Sequence, residues 1–148
     1  MKSLLRAMVA TALLFGTGAV FAAENTPVGT WKTIDDETGK PKSIVQITES
    51  NGELKATVLQ VLQSDEGPHP ICKNCDGERK NQPIEGMNIM WGVHQDGDVW
   101  DGGQILDPKT GKTYKVKLQT TDNGSKLTVR GYIGFSLLGR TQVWQREQ

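Results

Sequence analysis

Cys72 and Cys75 are the only cysteines in the chain, and His69 stands three residues before the first of them. The pattern His-x-x-Cys-x-x-Cys permits a disulfide, a redox-active dithiol or half of a zinc site. A redox pair of the thioredoxin kind sits ahead of a helix in an α/β unit, whereas this pair lies in a Pro-rich stretch between predicted strands. Zinc would need further nitrogen or sulfur ligands, and His94 is the only other histidine. The favoured reading is a disulfide that staples a loop, with both histidines exposed and no metal held. Closing so small a ring restricts the unfolded chain little, by about 2 kcal/mol, so the bond would shape the loop more than hold the fold.

Other chemistry does not assemble. Gly134-Phe135-Ser136-Leu137-Leu138-Gly139 is a near miss for the nucleophile elbow Gly-x-Ser-x-Gly, with Leu138 where glycine belongs and no helix to follow. Asp96, Asp98 and Asp101 lack calcium-loop spacing and read as a turn and a strand end. Gly102-Gly103 inside a predicted strand signals a bulge or sharp bend, not a phosphate cradle. No catalytic residue and no cofactor are expected, and the chain reads as a non-enzyme. The aromatic and sulfur-bearing residues are more informative. Met87, Ile89, Trp91 and Val93 alternate, so one face of their strand is apolar; Met87, Ile89, Trp91, Tyr114 and Phe135 are the candidate lining of an interior.

Such a lining needs walls. Eight segments alternate apolar with polar residues or carry β-formers between turn signals: Val28–Ile34, Ser43–Glu49, Glu53–Leu62, Met87–His94, Asp98–Leu106, Lys112–Thr120, Lys126–Ile133 and Arg140–Arg146. The sixth is the clearest, with Tyr114, Val116 and Leu118 set between Lys115, Lys117 and Gln119. Strands with one wet face favour an antiparallel sheet. Asn51-Gly52 is a two-residue hairpin signal, and Gln95-Asp96-Gly97 and Asp122-Asn123-Gly124 supply residues that tolerate positive φ. Asp35 to Lys40 and Asp107 to Lys112 share the pattern Asp-x-x-Thr-Gly-Lys, read as one turn used twice. Short hairpins make successive strands neighbours, and closing the sheet removes its two edges. The expectation is an all-β, eight-stranded antiparallel up-and-down barrel, with a two-sheet sandwich as the alternative. Only the 24 residues Gln63 to Gly86, with three prolines and both cysteines, depart from short connections; loops of that length are commonly functional.

The N-terminus reads as an export signal. Lys2 and Arg6 precede an uncharged apolar stretch, Ala7 to Phe21, that is shorter than the ~20 residues needed to span a bilayer. Cleavage is expected after Ala22, leaving residues 23–148 as a single domain in the periplasm or outside the cell. The chain's 17 basic residues less Lys2 and Arg6 leave 15 against 17 acidic, a net charge of −2. With no basic stripe, nucleic acid is excluded as a partner, and stable membrane insertion is not expected.

Gly29-Thr30-Trp31, the Cys72-Lys73-Asn74-Cys75 loop, the run Trp100 to Pro108, Gly111-Lys112-Thr113-Tyr114, Val129 to Gly134 and the ending Gly139 to Trp144 together cover nearly all of the chain after the export signal. On these motifs the chain resembles an uncharacterised family of small exported Gram-negative proteins, a domain of unknown function with a lipocalin-like barrel. The resemblance implies that Trp31 packs across the barrel floor beside Gly29. It also implies that an arginine of the last strand, Arg146 or alternatively Arg140, lies over the indole. Two functions fit: a non-enzymatic periplasmic binder of a small, largely apolar molecule, or an envelope module with a filled barrel that contacts another envelope protein. A cavity with an open mouth distinguishes the first from the second.

Overall fold

The computed structural model describes residues 25–148; the expected signal peptide lies outside the described residues. Eight strands follow in order: β1 Gly29–Ile34, β2 Pro41–Ser50, β3 Glu53–Val61, β4 Asn88–Asp96, β5 Val99–Asp107, β6 Lys112–Thr121, β7 Lys126–Tyr132 and β8 Arg140–Arg146. Each pairs antiparallel with the next, and β1 pairs antiparallel with β8, so the sheet closes into an up-and-down barrel. The sandwich alternative is thereby removed.

The turns form for the reasons their residues suggest. Asn51 and Gly52 both take positive φ (53° and 78°), as a two-residue hairpin needs. The repeated Asp-x-x-Thr-Gly-Lys pattern is one turn in two places. In each, the aspartate carbonyl accepts from the glycine N–H (Asp35–Gly39 2.7 Å, Asp107–Gly111 2.8 Å). The aspartate side chain also accepts from the N–H two residues on, and the threonine hydroxyl accepts from the lysine N–H. At Gly102 (φ 80°) β5 bulges, with a register shift between Trp100 and Gly103.

The two ends of the barrel differ. Trp31, Ile47, Leu54, Val93, Leu118 and Leu127 are almost fully buried and fill the end where β1 begins. Arg146 closes that end. Its guanidinium carbon sits 4.3 Å from the centroid of the Trp31 ring. It donates to the carbonyls of Thr26 (2.6 Å), Val28 (2.9 Å) and Gly124 (2.6 Å), while the Trp31 indole donates to Pro27 O (2.8 Å). Gly29 is required here: its φ is +142°, and a Cβ would lie 2.5 Å from Arg146 Nη1. Arg146, not Arg140, is the arginine that the resemblance implied.

The 63–86 connection is not structureless. It folds back on itself through an Ile71–Pro83 bridge, Cys72 N to Gln82 O (2.8 Å) and Ile84 N to Pro70 O (3.0 Å), with a short 3₁₀ turn at Gly77–Arg79. Cys72 and Cys75 form a disulfide and are almost completely buried. Purified protein, denatured but unreduced, is therefore expected to take up no thiol label; two adducts per chain would contradict the bond.

Candidate functional site

Alternate connections of an up-and-down barrel emerge at the same end. The β1–β2, β3–β4, β5–β6 and β7–β8 loops therefore share the end opposite Trp31. A cavity of about 550 Å³ opens there, and all four loops contribute to its lining. Its walls are Val58, Ile84, Ile89, Ile105, Val129 and Trp144, with Tyr114 beside them. The filled end supplies the floor, so the barrel is packed below and hollow above.

The polar groups are graded along this axis. Thr33 is buried, and its hydroxyl is 2.8 Å from that of Ser43; both line the cavity. Trp144 donates its indole N–H to the Gln142 side-chain oxygen (3.1 Å), two residues away on the same face. Charged side chains lie at the rim: Asp35, Lys42, Asp65, Glu66, Lys73, Asp107, Lys109 and Arg140. Asp35 is held below the usual carboxylate range by the backbone N–H groups of Thr38 and Glu37. Arg140 binds the Asp36 carboxylate through two nitrogens and also reaches Glu37 (3.2 Å). The Arg140 hydrogen bond depresses the Asp36 pKa, and that of Arg140 is raised in return. These pairs are solvent-exposed and fix loop positions more than they stabilise the fold.

One wall of the mouth is clamped. Cys72 Sγ rests 3.2 Å from Pro108 O, and Asn74 Nδ2 donates to Lys109 O (3.1 Å). Gly111 (φ +73°) lets the Asn74 backbone pass against the β5–β6 turn, where a Cβ would overlap Asn74 O and C. The disulfide thus holds a compact loop against the second copy of the repeated turn.

Of the predicted interior residues, Ile89 and Tyr114 line the cavity. Met87 is buried in the core but does not reach the cavity wall. Trp91 and Phe135 are corrections. Simple alternation places Trp91 on one face with Ile89 and Val93. In the barrel Leu54 pairs with Val93 and Ala56 with Met90, so β4 carries one extra residue there. Gly92, at φ 71°, takes up that residue. Met90 and Val93 are then fully buried, while Trp91 faces outward with the Arg79 guanidinium 4.5 Å from its ring centroid. Phe135 is 78% exposed and outside the lining, because the chain turns outward at Gly134 (φ 75°) into a 3₁₀ turn over Ser136–Leu138. Thr33, Ser43, Ile105, Val129, Gln142 and Trp144 were not anticipated. For the last two a signal existed: an Arg146 stacked on Trp31 points inward, and a step of two along the strand then turns Trp144, Gln142 and Arg140 inward as well.

Residues 29–146 match the model of a family described as an uncharacterized protein conserved in bacteria, DUF2147. The chain belongs to this family. The match spans every strand of the barrel, from the Gly29 that admits Arg146 to Arg146 itself. Among solved structures, the chain is similar to protein HP1028 of Helicobacter pylori, described as belonging to the lipocalin family. The TM-score is 0.72 at 22% identity, over 84% of this chain and 85% of that one. That likeness supports a shared lipocalin-like fold. No curated protein matches the chain.

Proposed function

We propose that the protein is a non-enzymatic carrier or receptor for a small, largely apolar molecule, acting in the periplasm after removal of residues 1–22. The observation that carries this reading is the cavity of about 550 Å³, hollow at one end only and apolar at depth. That size is typical of sites for small organic ligands, roughly 300–1,000 Å³. The gradation from Ile89, Val129 and Trp144 to the charged rim suits a ligand with an apolar body and a polar end. Its polar end would meet the rim or the Thr33–Ser43 pair. The lipocalin-like neighbour is in keeping with a binding barrel. The alternative envelope module calls for a filled interior, which the hollow upper half does not favour.

The test is direct. The mature protein is isolated from its own periplasm and examined by native mass spectrometry for a bound small molecule. It is also titrated with a fluorescent apolar probe. Val129→Trp places a large ring in the cavity and is expected to weaken probe binding at least about tenfold, or ~1.4 kcal/mol. Unchanged probe affinity in the folded variant would refute the cavity as the site. An intact mass that still contains residues 1–22 would refute the location.

A further inference from the structure

The β7–β8 connection carries an exposed apolar cluster that no internal packing explains. Ile133, Phe135, Leu137 and Leu138 are 67%, 78%, 89% and 78% exposed. They fall within six residues, between Tyr132 and Gly139, and the 3₁₀ turn at Ser136–Leu138 buries none of them. Elsewhere, the large exposed apolar side chains among the described residues are Leu59, Leu62 and Val143, none above 47%. The cluster stands at the mouth: Ile133 and Leu138 also line the cavity, so its apolar lining runs outward onto the loop. Arg130 fixes the loop by donating to Ser136 O (2.5 Å) and to the Thr141 hydroxyl (2.7 Å). The bulky groups are thus presented outward from a loop anchored at its base.

The cations of β7 and β8 at the mouth are Arg130 and Arg140, whereas Lys126, paired with Asp122 (2.8 Å), and Arg146 lie at the filled end. Arg140 is engaged by Asp36 and Glu37 of the neighbouring turn, but among the described residues Arg130 has no carboxylate within ion-pair distance. Large apolar side chains beside a cation suit the interface of an anionic bilayer, where the apolar groups enter the acyl boundary and the cation stays among the headgroups. An apolar wall continuous with the cavity would let a ligand pass between lipid and barrel without crossing water.

We infer that this loop is a lipid-docking tip: Phe135, Leu137 and Leu138 insert shallowly into an anionic phospholipid surface and set the cavity mouth against it. This rests on the binding function proposed above, and it specifies where the ligand is taken up or delivered. The docking is peripheral, and no helix among the described residues is long and apolar enough to cross a membrane.

The purified protein is floated with vesicles of phosphatidylethanolamine, with and without phosphatidylglycerol. It is expected to partition onto the vesicles, more strongly when phosphatidylglycerol is present. F135S/L137S alters only exposed side chains and is expected to reduce partitioning at least about tenfold. As a second readout, Phe135→Trp should add fluorescence that shifts to the blue on vesicles and is quenched by brominated acyl chains. Equal partitioning of the native protein and the double variant, or none by the native protein, overturns the inference. A dimer that the double variant abolishes, without vesicle binding, also overturns it and assigns the tip to a contact between copies. Loading of the apolar probe in vesicle-free solution is measured on the same samples. Loading that survives in F135S/L137S while partitioning is lost supports a docking role separate from the cavity. Failure of the native protein to load refutes the binding function, and the flotation result then decides docking alone.

Discussion

Trp31→Ala is expected to destabilise the barrel by roughly 3–5 kcal/mol, the range for removing a large buried aromatic side chain. Trp31 has no exposed surface and stands at the seam where the first and last strands meet. That seam is short: β1 pairs with β8 through Trp31–Arg146 and Lys32–Gln145. Removing the indole leaves a cavity at the floor, deletes the contact at 4.3 Å under the Arg146 guanidinium, and frees Pro27 O from its indole donor. Arg146→Lys is a milder version of the same change, expected to cost about 0.5–2 kcal/mol. An ammonium cannot reproduce the flat stack together with the forked donation to Thr26, Val28 and Gly124 carbonyls. Both costs are measured by denaturant unfolding of the purified variants. Because the residues that fill the floor are distinct from those that line the mouth, the folded fraction of Trp31→Ala should bind the apolar probe as tightly as the parent. A cost below about 1 kcal/mol for Trp31→Ala would mean that the indole does not hold the seam.

How far the sequence predicts this architecture depends on the kind of signal. Strand positions are legible because glycine and aspartate pairs punctuate strictly alternating stretches such as Tyr114 to Gln119, where Val116 and Leu118 are fully buried. The repeated Asp-x-x-Thr-Gly-Lys turn is legible to the level of its hydrogen bonds, because those are local. Closure at Trp31 and Arg146 comes from family resemblance, since nothing in β8 alone distinguishes Arg146 from Arg140. The interior is where alternation misleads. Gly92 inserts one residue into β4, turning Met90 in and Trp91 out, and a second register shift between Met90 and Asn88 leaves Ile89 facing the cavity as well. A glycine at mid-strand is a recognised mark of a bulge, so the warning was present, but its direction is fixed only by pairing with β3 and β5. Phe135 fails differently. An apolar residue in a loop is expected to seek cover, and this one has none, which turned a predicted lining residue into the centre of the proposed lipid-docking tip. The cavity itself was not legible, because volume depends on how eight strands stagger and not on which residues point inward.

Gly111→Ala is expected to loosen the mouth of the barrel, and the protein contains its own control. Gly111 and Gly39 occupy the same place in the two copies of the Asp-x-x-Thr-Gly-Lys turn, at φ 73° and 70°. Alanine at either position must adopt the left-handed region, at a cost of about 1–2 kcal/mol. At Gly39 nothing lies within 4 Å of an added Cβ, so this cost stands alone. At Gly111 the same methyl would overlap Asn74 O and C, the backbone of the disulfide loop. Overpacking of this kind adds typically 1–3 kcal/mol, giving roughly 2–5 kcal/mol in all unless the loop moves away. Displacing the loop would break the Asn74 hydrogen bond to Lys109 O and the Cys72 contact with Pro108 O that hold it to the β5–β6 turn. Gly111→Ala should therefore make residues 63–86 susceptible to limited proteolysis and speed release of the apolar probe, because Lys73, Asn74, Pro108 and Lys109 all line the mouth. Gly39→Ala should lower stability modestly and leave proteolysis and release unchanged. Equal behaviour of the two variants would show that the disulfide loop is not held by the turn beneath it and does not gate the cavity.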